Sequence, residues 1–113
     1  MDLVSVIIPC YNHEKYIEKC LQSILDDKYE NKEIVIIDDG SKDNSIEVIR
    51  NFIKSHGNDK HIIRLYTQEN NGVVKTLNKL VDLANGKYIA VIASDDELKN
   101  DGIFNRVEYL ESH

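Results

Sequence analysis

Asp95 and Asp96 are adjacent carboxylates that could bind a metal ion. Hard divalent cations such as Mg²⁺ or Mn²⁺ take one or two carboxylates together with phosphate oxygens. A cation held by this pair would neutralise charge on a departing diphosphate. The alternative is a solvated acidic turn at the start of the last helix, where acidic residues are common.

A second acidic pair, Asp38 and Asp39, stands directly before a glycine. Because an ionised carboxylate only accepts hydrogen bonds, one of these side chains could bind a base N–H or a sugar hydroxyl. The alternative is that the Asp-Gly turn caps the helix that follows. The pair alone does not decide between the two.

The segment 9–14 offers an aromatic ring beside polar groups. Tyr11 follows Pro9 and could stack on a nucleobase, whereas ordinary packing within a loop is the alternative. Asn12 and Glu14 could hydrogen-bond the same ligand, or Asn12 could cap the first helix. We therefore treat the segment as one candidate wall of a nucleotide site.

A glycine turn before the third helix suggests an anion site. A helix N-terminus preceded by such a turn can hold a phosphate, and Gly72 occupies that position. Lys75, on the first turn, could reach a phosphate or a uracil carbonyl. A solvent-facing lysine is the alternative for Lys75.

The histidines and cysteines suggest no further chemistry. The four histidines, which share no ligand spacing, are His13, His56, His61 and His113. His13 lies near the candidate site, but we expect it to face solvent. Cys10 and Cys20 are expected to be reduced thiols, with Cys20 packed on an apolar helix face. Nothing pairs Cys10 with a base, so no nucleophile is predicted.

Four apolar runs predict the strands that position these residues. They cover residues 4–8, 33–37, 62–67 and 88–93. Pro9 is expected to end the first strand, because proline cannot donate to a sheet ladder. The third run is the most polar and is therefore expected nearer an edge of the sheet.

Helical periodicity predicts four helices between and after the strands. We place them at 14–26, from about Asp43 to Gly57, from Gly72 to Asn85, and at 101–112. The side chains expected to face the sheet are Ile17, Cys20, Leu21, Ile24, Leu25, Ile46, Ile49, Ile53, Val73, Leu77, Leu80, Val81, Ala84, Ile103, Phe104, Val107 and Leu110.

The alternation of strands and helices predicts an α/β fold with three layers, α/β/α, around a mainly parallel central sheet. No linker divides the 113 residues, so we expect a single domain over 1–113. Ligands of such sheets bind outside the carboxyl ends of the strands, where the polar clusters lie. The net charge of −6 argues against nucleic acid as a partner. No signal peptide or membrane span is recognisable, and a cytoplasmic location is expected.

Order and spacing together resemble the family 2 glycosyltransferases of the GT-A fold, a Rossmann-like architecture. The matching segments are Val4-Ser5-Val6-Ile7-Ile8-Pro9-Cys10-Tyr11-Asn12, Glu33-Ile34-Val35-Ile36-Ile37-Asp38-Asp39-Gly40-Ser41, Asn70-Asn71-Gly72, Ala84-Asn85-Gly86-Lys87-Tyr88-Ile89 and Ser94-Asp95-Asp96-Glu97. The resemblance covers essentially the whole chain. It implies transfer of a sugar from a nucleotide-diphosphate sugar, usually UDP-linked, to a saccharide or lipid-linked acceptor hydroxyl in polysaccharide biosynthesis.

The resemblance also implies roles for individual residues. The residues implied to line the nucleoside pocket are Pro9, Tyr11, Asn12 and Glu14, with Tyr11 against the base. Asp39 would bond the base and Asp95 would lie by the ribose or diphosphate. Asp96, with Asp95, would bind the Mg²⁺ or Mn²⁺ cofactor.

Two departures from the family pattern limit what the resemblance implies. The first acid of the family's Asp-x-Asp-Asp metal motif falls on Ala93. The acceptor-binding half of family members would lie past this chain, so the domain is expected to be truncated before it. The catalytic base is expected beyond His113, and residues 1–113 alone are expected to be inactive. Membrane association through that missing part stays open.

Two other interpretations compete with the enzyme. The chain could be a non-catalytic module that binds nucleotide, or that forms a homodimer through an exposed sheet edge. It could also be a phospho-acceptor signalling domain, which shares the fold class. Such domains cluster acids after the first strand, where this chain has Pro9, Cys10, Tyr11 and Asn12. The signalling interpretation is therefore disfavoured.

Overall fold

The computed structural model describes residues 2–57 and 62–112, which form four strands alternating with four helices. In chain order the elements are β1 (Val4–Cys10), α1 (Ile17–Asp26), β2 (Lys32–Asp38), α2 (Ser45–His56), β3 (Ile62–Thr67), α3 (Val73–Leu83), β4 (Tyr88–Val91) and α4 (Gly102–Glu111). The predicted βαβαβαβα order is confirmed. Within the described residues, no helix combines the length and apolar character needed to cross a bilayer.

The four strands make one parallel sheet in the order β3-β2-β1-β4. The predicted parallel sheet is confirmed, and so is the expected position of β3 at an edge. The chain steps outward from β1 to β3 and then returns to place β4 on the other side of β1. This reversal opens a crevice at the carboxyl ends of β1 and β4, where ligands of α/β sheets bind.

Helices cover both faces of the sheet and complete the three layers. On one face, even-numbered residues of β1 and β2 pack against α1, α2 and α4. That core includes Val6, Ile8, Ile34, Ile36, Ile17, Leu21, Ile24, Ile49, Phe52, Ile103 and Val107. On the other face Ile7, Val35 and Ile37 pack against Leu80 of α3. The continuous apolar runs reflect strands buried on both faces.

The expectation that Pro9 ends the first strand is wrong. β1 continues to Cys10, and Pro9 pairs with Ile37 of β2. Its missing N–H does not break the ladder, because odd-numbered residues of β1 bond toward β4, and that pairing ends at Ile7. On the β2 side, the carbonyl of Cys10 still accepts a hydrogen bond from the N–H of Asp39 at 2.8 Å. Pro9 is therefore tolerated because β4, the strand on its other side, has already ended.

Three side chains expected to face the sheet are exposed instead. Val73 and Val81 are 60% and 48% exposed, because α3 turns Thr76 and Leu80 toward the sheet and leaves these two valines on its flanks. Leu110 is 49% exposed and lines an open groove beside β4. The inward positions of Ile103 and Val107 are confirmed.

Two element boundaries also differ from the expectation. α1 begins at Ile17 rather than at residue 14, because the N–H groups of Tyr16 and Ile17 both bond the carbonyl of His13 and make a turn before the helix. β4 ends at Val91 rather than at residue 93, since a turn follows it in which the N–H of Asp96 bonds a carbonyl three residues earlier. Both turns bring polar residues to the crevice.

Candidate functional site

A cavity of about 220 Å³ lies at the crevice between the ends of β1 and β4. Its walls are Pro9, Cys10, Tyr11, His13, Asp39, Val73, Thr76, Ala93 and Ser94. Three of the predicted donor-binding residues, Pro9, Tyr11 and Asp39, are therefore brought together. The other predicted residues surround this cavity without forming its wall.

Apolar surface dominates the mouth of the cavity. The ring of Tyr11 is 41% exposed, and Val73, at the first turn of α3, lines the same space. A flat aromatic ligand gains most from such walls, because stacking and apolar contact add to the burial of its surface. Val73 is 60% exposed and thus contributes apolar surface to the candidate site.

Asp39 lies in the cavity wall and organises the loop opposite it. Its carboxylate accepts hydrogen bonds from Gln68 Nε2 at 2.8 Å and from the N–H groups of Asn71 and Gly72 at 2.7 and 3.1 Å. Burial alone would raise its pKa, but these hydrogen bonds outweigh burial and hold the pKa of Asp39 below its ordinary value. An ionised acceptor therefore faces the cavity.

Asn12 and Glu14 brace the loop that carries Tyr11. Asn12 adopts a left-handed φ of 54°, and its Oδ1 accepts the N–H of Lys42 at 2.8 Å. The N–H of Glu14 bonds the side chain of Asp43 at 3.1 Å. The alternative that Asn12 caps α1 is wrong, because that helix begins five residues later with no side-chain cap. Direct contact of either residue with a ligand stays a prediction.

Asp43 holds the start of α2 in the same region. It accepts both the N–H and the hydroxyl of Ser45, the first residue of α2, at 2.9 and 2.6 Å. Burial disfavours the charged form, yet these bonds and the one from Glu14 keep the pKa of Asp43 below its ordinary value. The sequence places the start of this helix at about Asp43; in the structure α2 begins at Ser45, with Asn44 at the N-cap position and no side-chain cap.

Asp95 and Asp96 lie at the rim, in the turn after β4. Both are exposed, and the turn is closed by the hydrogen bond from the N–H of Asp96 to the carbonyl of Ala93 at 3.0 Å. Among the described residues, no three His, Cys, Asp or Glu side chains cluster as a complete metal site. Two exposed carboxylates nevertheless suit Mg²⁺ or Mn²⁺, which complete their coordination with phosphate and water oxygens.

Gly72 and Lys75 lie at the start of α3, beside the cavity. Gly72 has a φ of 89°, a conformation that favours glycine, and its N–H is held by Asp39. Lys75 is exposed on the first turn and does not line the cavity. Phosphate binding by either residue stays a prediction.

His13 does not face solvent as expected. Its ring is half-buried in the cavity wall, with Nδ1 2.5 Å from Ser94 Oγ and Nε2 4.0 Å from Asp95 Oδ2. Sequence reasoning missed His13 and Ser94 because 81 residues separate them, and it missed Gln68, which positions Asp39 across 29 residues. His61 and His113 lie outside the described residues.

Cys10 and Cys20 are buried free thiols. Burial raises the pKa of Cys10 to about 11 and that of Cys20 to about 12, so both stay protonated at neutral pH. Cys20 Sγ lies 3.6 Å from the carbonyl of Ala93 and packs α1 against the turn after β4. Neither thiol is poised to act as a nucleophile.

A family model and the curated relatives of this chain point to the same family. The family model described as "Glycosyl transferase family 2" matches residues 5–113. The putative teichuronic acid biosynthesis glycosyltransferase TuaG of Bacillus subtilis is 36% identical over 108 residues, which are 96% of this chain and 42% of TuaG. The chain spans less than half the length of the first curated relatives that it matches.

Two solved structures share the fold. The mannosyltransferase PcManGT of Pyrobaculum calidifontis, in complex with GDP-Man and Mn²⁺, superposes with a TM-score of 0.89 at 26% identity, over 96% of this chain and 32% of that one. S. aureus TarS 1–349, in complex with UDP-GlcNAc, gives a TM-score of 0.84 at 27% identity, over 97% and 31%. Both are similar to this chain along nearly its whole length.

Proposed function

Because the chain belongs to glycosyl transferase family 2, we propose that residues 1–113 form one domain that binds the nucleotide-diphosphate sugar for transfer to an acceptor hydroxyl. The observation that carries the proposal is the convergence of Tyr11, Asp39 and the Asp95–Asp96 turn around one cavity. In the proposed complex the base stacks on Tyr11 and donates an N–H to Asp39. Pro9 completes the pocket beneath the base.

We propose UDP as the nucleotide. TarS was solved with UDP-GlcNAc, whereas PcManGT was solved with GDP-Man, so the two relatives differ in their base. The mostly apolar cavity of about 220 Å³ has room for a pyrimidine ring. Asn12, Glu14, Gly72 and Lys75 are proposed to contact the ribose or phosphates from the surrounding loops.

Asp96, assisted by Asp95, is proposed to hold Mg²⁺ or Mn²⁺. When bound, the cation would neutralise charge on the diphosphate leaving group. The relative PcManGT was solved with Mn²⁺. The two aspartates of this chain contribute hard oxygen ligands at the rim of the cavity, where a diphosphate attached to the bound base would emerge.

Sugar transfer itself is proposed to require more than these residues. The chain spans 42% of TuaG, whose name places it in teichuronic acid biosynthesis, and we propose an acceptor of the polysaccharide class. A carboxylate outside residues 1–113 would deprotonate the acceptor hydroxyl. The buried free thiols Cys10 and Cys20 fit the reducing cytoplasm, which is the proposed location.

Titration with nucleotides tests the proposal. UDP, GDP and CMP are added to residues 1–113 with and without MgCl₂, while backbone amide shifts are followed by NMR. We expect UDP to shift Tyr11 and Asp39, and Mg²⁺ to tighten binding and add shifts at Asp96. Asp96→Asn should abolish the effect of Mg²⁺, whereas Glu97→Gln, an exposed acid in the same segment, should retain it.

The absence of shifts around the cavity with all three nucleotides would refute the proposed donor site. Nucleotide binding that Mg²⁺ leaves unchanged would refute the metal role of Asp96 and leave the base pocket standing. Substantial sugar transfer by residues 1–113 to an added acceptor would contradict the proposed need for a base elsewhere.

A further inference from the structure

His13 connects the two loops that would hold opposite ends of the nucleotide. It lies two residues after Tyr11, in the loop between β1 and α1. Its Nδ1 hydrogen-bonds Ser94 Oγ at 2.5 Å, and its Nε2 lies 4.0 Å from Asp95 Oδ2, in the turn after β4. Ser94 is buried, and its contact with His13 is partly buried.

The backbone of His13 is fixed by hydrogen bonds at both its N–H and its carbonyl. The His13 N–H bonds Ser45 Oγ at 3.0 Å, and its carbonyl accepts the N–H groups of Tyr16 and Ile17 at 3.0 Å. The ring also packs edge-on against Tyr16, with centroids 5.9 Å apart. A substituted side chain at position 13 would leave these backbone bonds in place.

The loop that carries His13 is braced on its other side as well. The N–H of Asn12 bonds Ser41 Oγ at 2.8 Å, and the N–H of Glu14 bonds Asp43 at 3.1 Å. The loop after β2 thus holds the loop after β1. Through the side chain of His13, the loop after β1 in turn contacts the exposed turn that carries the candidate metal ligands.

We propose that His13 is a positioning residue that fixes the Asp95–Asp96 turn relative to the Tyr11 wall, so that nucleotide and cation binding favour each other. The inference rests on the proposed function. Its physical basis is preorganisation: a turn already held in place loses less conformational freedom when the cation and diphosphate bind. Without the ring, the turn would keep its own hydrogen bond from Asp96 to Ala93 but would lose its tie to the loop that carries Tyr11.

Three substitutions separate the two contacts of the ring. His13→Ala removes both contacts. His13→Asn places an amide atom close to the position of Nδ1 and should keep the bond to Ser94. His13→Gln extends toward the position of Nε2 and should keep the approach to Asp95. His56→Ala is the matched control, since His56 stacks on Phe52 at the far end of α2.

The experiment measures the Kd of UDP for residues 1–113 by calorimetry, with and without saturating MgCl₂. The quantity of interest is the factor by which Mg²⁺ tightens UDP binding. Coupling between sites typically amounts to about 5- to 150-fold, and we expect His13→Ala to lower this factor by about 10-fold. Because His13 also lines the cavity, the Kd without Mg²⁺ can change as well, and the positioning role is therefore judged only from the factor by which Mg²⁺ tightens binding.

Rescue distinguishes positioning from a general effect on folding. His13→Asn should recover most of the Mg²⁺ effect, and His56→Ala should keep it entirely. If His13→Ala does not fold, as judged by thermal unfolding, Ser94→Ala removes the same hydrogen bond from the other loop. Ser94→Ala should lower the Mg²⁺ effect in the same way.

The outcomes separate this inference from the proposed function. A wild-type chain that binds no nucleotide would overturn both. Wild-type binding that depends on Mg²⁺, with the same dependence in His13→Ala and Ser94→Ala, would overturn the positioning role and leave the donor site standing. Equal weakening of UDP binding with and without Mg²⁺ would also overturn it, since His13 would then act on the base pocket alone.

Discussion

At Tyr11, one exposed ring forms the wall on which the base is proposed to stack. Its side chain is 41% exposed and lines the cavity beside Asp39. Stacking of a base on an aromatic side chain contributes about 1–3 kcal/mol. We therefore expect Tyr11→Ala to weaken UDP binding by about 5- to 150-fold, and Tyr11→Phe, which keeps the ring, to stay near wild type.

The measurement for Tyr11 is the Kd of UDP by calorimetry in saturating MgCl₂. Tyr109→Ala is the control, because Tyr109 is an exposed tyrosine of α4 that does not line the cavity. Equal losses for Tyr11→Ala and Tyr109→Ala would indicate a general effect on folding instead of a lost stacking contact. A loss for Tyr11→Phe would point to the hydroxyl.

Residues whose role follows from their type could be predicted from the sequence, and residues whose role follows from a distant contact could not. Tyr11 and Asp39 come directly after strands and were expected at one edge of the sheet. His13 was expected in solvent, because its partner Ser94 lies 81 positions away. A lone histidine in a polar loop carries no sign of such a partner.

At the scale of elements, Glu33 ties the amino-terminal end of the sheet together. This residue of β2 accepts hydrogen bonds from Ser5 Oγ of β1 at 2.6 Å, from the N–H of Asn85 at 2.8 Å and from Arg64 of β3 at 3.1 Å. Gly86 belongs to the same cluster, because a Cβ there would lie 2.6 Å from the Ser5 nitrogen. The Asn-Gly segment before β4 is thus structural.

Substitution of Glu33 should make stability depend less on pH. Burial opposes its charge, but the bonds from Ser5, Asn85 and Arg64 hold the pKa of Glu33 below its ordinary value. The resulting stabilisation is present above the unfolded-state pKa, about 4.3, and is lost as pH falls through the folded-state pKa. Glu33→Gln should therefore lower the free energy of unfolding at pH 7 by about 1–3 kcal/mol.

Urea unfolding at a series of pH values tests this expectation. The difference between wild type and Glu33→Gln should be largest near neutral pH and shrink in acid, where the wild-type carboxyl is protonated. Glu108→Gln, at an exposed position of α4, should show neither effect. A difference that stays constant down to the acid limit would indicate that lost packing, and not charge, is responsible.

The apolar runs predicted the existence and order of the elements, because buried parallel strands need continuous apolar residues. Their ends could not be predicted as well, since they depend on neighbouring strands. Pro9 remains in β1 only because β4 has ended beside it. Likewise, periodicity places Val81 and Leu110 on helical apolar faces, yet both are about half exposed.

At the scale of the whole molecule, the edge strand β4 exposes apolar side chains. β4 pairs with β1 on one side, and Ile89 and Val91 are exposed on its face. A shallow groove of about 160 Å³ runs between this strand and Leu110 of α4. Uncovered edge strands with apolar side chains promote pairing with other chains.

We expect residues 1–113 to form homodimers through this edge as protein concentration rises. Sedimentation velocity over a range of concentrations measures this association, which should strengthen with salt because copies of net charge −6 repel each other. Val91→Lys should shift the molecule toward monomer, since a charge on the edge strand opposes pairing. Val74→Lys, at an exposed valine of α3, is the matched control and should leave association unchanged.

Equal association of both variants and wild type would show that β4 is not the contact. A monomer at every concentration would show that the exposed edge does not drive pairing.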